Sequence, residues 1–234
     1  MSGGAAGAAD LVAYTENLPP LNYEEDGTVK GFATELLRSV LAQAGLEADF
    51  EVLPWSRAYR MALARPDAIL YSLVRTEERE RLFRWIGPIS KRRIFLFRRK
   101  ERLDVRLKDL NDAHRYRIGV VREMAATQDL IRQGFSLDAE LDNTSSDESN
   151  VRKLFANRVD LILALDWSAY YQARQLGHAP EDLVPVLLVD DRHSYYFGLS
   201  RDSSPALAGR IDEAFQKLRA AGELDRLRKK YLPQ

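Results

Sequence analysis

The chain has 234 residues, with 35 basic and 35 acidic side chains and no formal net charge, so no overall field gathers nucleic acid or an anionic membrane surface. Hydrophobic residues make up 45% and charged residues 30%, a globular composition, and the absence of cysteine removes disulfides, thiolate nucleophiles and thiolate metal sites together. The three histidines, His114, His178 and His193, match no metal-ligand spacing, and no apolar run approaches the ~20 residues that span a bilayer. The opening MSGGAAGAA is small and uncharged, without the basic start and apolar middle of a secretory signal, so export is not legible from it.

Leu11 to Thr15 is a short β-like run, closed by Glu16-Asn17-Leu18-Pro19-Pro20, a loop that a helix cannot enter. After a turn at Asp26-Gly27, apolar Phe32, Leu36, Leu37, Val40, Leu41 and Ala44 recur at helical spacing between Gly31 and Gly45, where the second glycine suits a C-terminal stop. A strand is expected from Phe50 to Leu53, a helix from Trp55 to Arg65 and a strand from Ala68 to Ser72. Such alternation argues for a parallel α/β sheet.

Arg93 to Arg98 is expected as a strand with Phe95 and Phe97 toward the core. The basic residues around it, from Lys91 to Arg102, carry no aromatics interleaved on a polar face, so they read as a solvated border, with docking to a partner protein as the minor reading. From Arg117 the alternation begins again. Strands at Ile118 to Val121, Leu137 to Leu141 and Val159 to Leu165 are interleaved with helices at Ala125 to Gln133, Glu148 to Asn157 and Trp167 to Leu176. Leu183 to Val189 and Tyr195 to Leu199 follow as two strands, then two amphipathic helices between Pro205 and Tyr231 that divide at Gly222. The second α/β unit is thus inserted into the first.

Functional interest centres on YSLVRTEERERLFRWIGPIS, from Tyr71 to Ser90. A strand ends there in a turn, Thr76 is placed to cap a helix with its hydroxyl, and Glu77 and Glu78 suit the positive end. Arg79 stands against that field at the third helical position, and a guanidinium beside free backbone donors is one way to hold a carboxylate. From the residues alone, the alternative is a solvated charge paired with Glu77, Glu78 or Glu80. Asp166 ends an apolar strand just before a helix, where ligands bind in open α/β sheets; the alternative there is a helix N-cap.

Strand, R-T-x-E-R and F-R-W-x-G-P-I together resemble the S/T-x-x-R signature of the amino-acid-binding family of bacterial extracytoplasmic solute-binding proteins. Glu16-Asn17-Leu18-Pro19-Pro20-Leu21 resembles that family's opening P-P-aromatic loop. Gly31-Phe32 with Glu35-Leu36 is similar to its G-F-D-x-D-L segment, Arg158 to Asp166 to its G-x-x-D-A-x-x-x-D, and the segment from Tyr195 onward to its C-terminal signature. The resemblance implies a two-lobed type II periplasmic-binding-protein-like α/β fold, each lobe a mostly parallel sheet flanked by helices. Lobe 1 would comprise residues 10–98 and 193–234 and lobe 2 residues 104–188, with hinge crossovers near 99–103 and 189–192.

By the same resemblance, Arg79 grips a ligand's α-carboxylate and Asp166 its α-ammonium in the cleft between the lobes, closing them around a zwitterion. Ser72 and Val74 would add side-chain and backbone groups beside Arg79, while Tyr14, Glu16 and Trp55 would line the first lobe. Ala125 departs from the family, which carries a hydroxyl in its Gly-Thr/Ser-Thr turn where this chain has Arg122-Glu123-Met124-Ala125. The expected protein is a periplasmic, monomeric receptor for an amino acid or related zwitterion that serves the membrane permease of an ABC transporter. No cofactor, metal, catalytic residue or nucleic-acid partner is expected. Two alternatives stay open: an enzyme on the same scaffold, resembling cyclohexadienyl dehydratases, with Glu16 or Glu123 as its acid or base, and the sensing domain of a membrane receptor. The ending Tyr231-Leu232-Pro233-Gln234 is expected for a complete receptor.

Overall fold

The computed structural model describes residues 11–122, 124–137 and 139–231. The opening MSGGAAGAA, Glu123 and the terminal Leu232-Pro233-Gln234 lie outside the described residues. The chain divides into two units, the first running up to Lys91 and resuming at Ser194, the second spanning Arg92 to His193.

Unit 1 is built on β1 (Leu11–Thr15), the hairpin β2 (Tyr23–Glu25) and β3 (Thr28–Lys30), helix α1 (Phe32–Gln43), β4 (Ala48–Val52), α2 (Trp55–Ala64) and β5 (Ala68–Val74). All five residues of β1 are buried, as expected of a strand covered on both faces. β1 pairs in parallel with β4, Leu11 opposite Ala48, and with β5, Val12 opposite Ala68. The Asp26-Gly27 turn carries positive φ at both residues, 52° and 70°, which matches the twist of a two-residue hairpin. Gly31, before α1, is held at φ 118°, and a Cβ there would lie 2.5 Å from the carbonyl oxygen of Leu21.

Two long strands connect the units along the chain, β6 (Phe83–Arg99) and β10 (Leu183–Ser200). The expected strand at Arg93 to Arg98 is thus the end of a longer one, and the two expected at Leu183 to Val189 and Tyr195 to Leu199 are one. The polar break at Asp190-Asp191-Arg192 does not end β10 because Asp190 is held by Arg92 at 3.3 Å and by Arg192 at 2.6 Å. In unit 1, β10 pairs antiparallel with β5, Tyr195 opposite Val74. Helices α6 (Pro205–Ala220) and α7 (Glu223–Tyr231) complete this unit; Ser204 caps α6 by accepting from the Leu207 amide at 3.1 Å, with Pro205 in the first turn.

Unit 2 places β6 antiparallel to β9 (Leu161–Leu165), while β7 (Ile118–Val121) runs parallel to β9 and to β8 (Leu141–Thr144). The strand expected at Leu137 to Leu141 is displaced: Leu137 makes only an isolated bridge to Leu141, and β8 begins where that segment ends. Helices α3 (Ala125–Arg132), α4 (Asp147–Phe155) and α5 (Asp166–Gln175) cover this sheet. Phe97, Val151, Leu154, Ile162, Ala164 and Ala169 form its core. The basic border of β6 is largely neutralised locally, Arg99 by Glu101 and Arg102 by Asp104 and Asp160.

Candidate solute-binding residues

In unit 1 the segment after β5 is not the expected helix but a single 3₁₀ turn, Glu77–Arg79, followed at once by β6. Thr76 takes the N-cap position, yet its hydroxyl makes no cap bond and is buried without a hydrogen-bond partner among the described residues. The Arg79 amide donates to the Thr76 carbonyl at 3.1 Å, so a helix terminus with free donors is not formed beside the guanidinium. The side chain itself is held differently. Its carbon lies 5.3 Å from the ring centres of both Trp55 and Tyr59, and Nη1 donates to the Val74 carbonyl at 3.2 Å.

Among the described residues, Arg79 has no ion-pair partner. Glu80, one of the three acids considered for it, is instead taken in two hydrogen bonds by Arg75, at 2.7 and 2.5 Å, and Arg75 also lies over Trp85 and Tyr196. The two arginines of this turn therefore have opposite situations. Arg75 is a neutralised surface pair, whereas Arg79 is oriented by aromatic faces and one carbonyl with donors to spare.

The expected neighbours of Arg79 fall into supporting and lining positions. Val74 contributes its carbonyl to the arginine. Ser72, held at φ 56°, is buried and donates to Asn22 Oδ1, while Asn22 donates to the Glu16 carbonyl at 2.6 Å. That chain fixes the Glu16 loop against β5 and uses the Ser72 hydroxyl internally. Tyr14 is 2% exposed in the core with Ala58, Leu70, Leu73 and Phe83. Glu16 is half-buried; burial pushes its carboxyl up, and the Arg79 charge opposes the shift. Trp55 starts α2 and begins a run of neighbouring rings through Tyr59, Phe83, Trp85 and Tyr196, each 5.7–6.0 Å from the next. Tyr59, Trp85 and Asn22 are not among the expected site residues; Tyr59 stands one helical turn after Trp55, and Trp85 lies in the F-R-W-x-G-P-I segment.

In unit 2, Asp166 is the first residue of α5 and Leu165 the N-cap, which corrects the N-cap alternative. Asp166 Oδ1 accepts from the Trp167 amide at 2.8 Å, and Oδ2 accepts from Arg93 Nε at 2.9 Å and Nη2 at 2.8 Å. Ala125 is the exposed first residue of α3, and Met124 before it makes no side-chain cap bond. The nearby hydroxyl of Thr127 is turned inward to the Val121 carbonyl at 2.8 Å.

Structures of similar fold include the second substrate-binding domain of Lactococcus lactis GlnP in its open conformation, at 16% identity, with a TM-score of 0.78 over 96% of this chain and 95% of that one. The second substrate-binding domain of a putative amino acid ABC transporter from Streptococcus pneumoniae matches at 16% identity and a TM-score of 0.76, covering 95% and 99%. A histidine kinase sensor domain with similarity to periplasmic binding proteins matches at 20% identity and a TM-score of 0.73, covering 96% and 97%. No curated protein matches the chain. The architecture is the type II periplasmic-binding-protein fold. The family model for bacterial extracellular solute-binding proteins, family 3, matches residues 11–234, and the chain belongs to that family.

Proposed function

We propose that this chain is a periplasmic, monomeric receptor that captures a small polar solute through its carboxylate and delivers it to the permease of an ABC importer. Arg79 carries the reading: a guanidinium oriented by Trp55, Tyr59 and the Val74 carbonyl, with no carboxylate within 4 Å among the described residues, beside the unpartnered Thr76 hydroxyl. Such an arginine suits a carboxylate, which two of its in-plane donors can take together. Glu16 and Trp55 line this unit, Ser72, Val74 and Tyr14 hold the lining in place, and Asp166 and Ala125 belong to the contribution of the second unit. Closure on the solute would use the two chain crossings, between Lys91 and Arg92 and between His193 and Ser194. The amino-acid transporter domains of similar fold make amino acids the first class to test.

The test is a thermal-shift screen against amino acids, their amides, polyamines and small carboxylates. A solute at about a hundred times its dissociation constant adds roughly 2.7 kcal/mol of stability. A shift confined to carboxylate-bearing compounds supports the receptor; a flat response across every class refutes it. A lyase on the same scaffold keeps one support, the upward displacement of the Glu16 carboxyl by burial. Turnover of cyclohexadienyl carboxylic acids, lost in Glu16→Gln, would replace the receptor reading with that one. A sensing role rests on fold likeness to the kinase sensor domain and differs only in the partner that reads out binding.

A further inference from the structure

Asp166 was expected to receive an ammonium group, yet within unit 2 its carboxylate is already engaged. Arg93 donates twice to Oδ2, at 2.9 and 2.8 Å, and the Trp167 amide donates to Oδ1, while the Asp166 side chain is 5% exposed. This pairing is set by the sheet. Ile94 lies opposite Leu165 in the β6–β9 ladder, which brings the residues beside that pair together, Arg93 within β6 and Asp166 just past the end of β9. The Arg93 side chain is 49% exposed and rests 5.9 Å from the Phe95 ring centre, with its Nη1 donors not used on Asp166.

An arriving ammonium would therefore meet a carboxylate neutralised by a fixed guanidinium, and beside it a group that is donor-only and of like charge. An oxygen acceptor is complementary to the same surface. We propose that the solute is a carboxylic acid without an α-ammonium, a 2-oxo or 2-hydroxy acid whose oxygen accepts from Arg93, and that Asp166 is a positioning residue that orients this arginine. The inference rests on the receptor reading and narrows its substrate class.

The experiment is calorimetric titration of the wild-type chain with matched sets, each an L-amino acid and the 2-oxo and 2-hydroxy acids of the same side chain, drawn from apolar, aromatic, acidic and amide types. The expected result is a 2-oxo or 2-hydroxy acid that binds at least about tenfold more tightly than its amino acid. An amino acid that binds within about tenfold of its analogues, or more tightly, overturns the inference and leaves the receptor reading standing. Absence of binding by every member, with a shift by no carboxylate in the thermal screen, overturns both. The positioning role has its own readout. Asp166→Asn loosens Arg93 and should weaken the 2-oxo or 2-hydroxy acid by about tenfold while leaving the amino acid within about threefold, whereas an ammonium site at Asp166 predicts the reverse. Arg93→Gln should weaken the same acids if the asparagine variant does not fold.

Discussion

Replacing Arg79 with alanine separates a ligand-binding arginine from a structural one. In the folded chain the substitution removes two cation–π contacts of 5.3 Å and one hydrogen bond of 3.2 Å to Val74. At a half-exposed position such contacts are worth about 0.5–1 kcal/mol each, and water recovers part of them, so the fold should lose about 1–2 kcal/mol. Binding should lose far more. Two charge-assisted hydrogen bonds to a carboxylate are worth about 1.5–3 kcal/mol each, which raises the dissociation constant by about two to four orders of magnitude. Arg75→Ala is the control, because Arg75 is spent on Glu80 at the surface and should leave affinity within about threefold. Titration calorimetry with the solute found in the screen, beside thermal denaturation of each variant, measures both quantities. Unchanged affinity in Arg79→Ala, or an equal loss in Arg75→Ala, would refute the assignment.

Burial raises the Glu16 carboxyl above its ordinary 4.5, so the folded chain holds that proton more tightly than the unfolded one and the group's contribution to stability falls as pH rises above 4.5. Glu16→Gln should therefore match the wild type in acid and exceed it in melting temperature near neutral pH; equal midpoints across the range would contradict the burial argument. Gly31→Ala should cost about 2–4 kcal/mol in denaturant unfolding, because a Cβ at φ 118° collides with the Leu21 carbonyl; a loss under about 1 kcal/mol would mean that the loop yields freely. Glu35, which binds Lys230 at 2.7 Å and Tyr231, is pulled below 4.5: burial opposes the shift, and the hydrogen bonds from those two residues outweigh it. Its stabilisation is present above that pH and lost as pH falls through the lowered value, so Glu35→Gln should cost about 0.5–1 kcal/mol near neutrality and nothing in acid. A pH-independent difference in midpoint would count against the ion pair.

Periodicity and punctuation located most elements because their causes are local. The apolar positions of α1, the glycine at its start and the proline-rich loop before it act within a few residues of themselves. The resemblance carried by R-T-x-E-R, G-F and R-V-D-L-I-L-A-L-D marked Arg79 and Asp166 as the residues to watch. Local pattern failed where pairing outweighed it. The polar run Asp190-Asp191-Arg192 has the look of a strand end, but Arg92 and Arg192 neutralise Asp190 and β10 continues through it. The residues after Thr76 have the pattern of a helix start, but the chain turns once and enters β6. What each charged side chain does was not in the sequence at all. The spacing gave Arg79 three glutamates to pair with, and only the tertiary structure spent Glu80 on Arg75 and laid Arg79 against Trp55 and Tyr59. Asp166 and Arg93 are separated by more than seventy residues along the chain, and the register of β6 against β9 alone makes them neighbours. A sequence fixes local propensity and charge type; the fold decides which charges meet, because electrostatic pairing acts over a few ångströms of space whatever the distance along the chain.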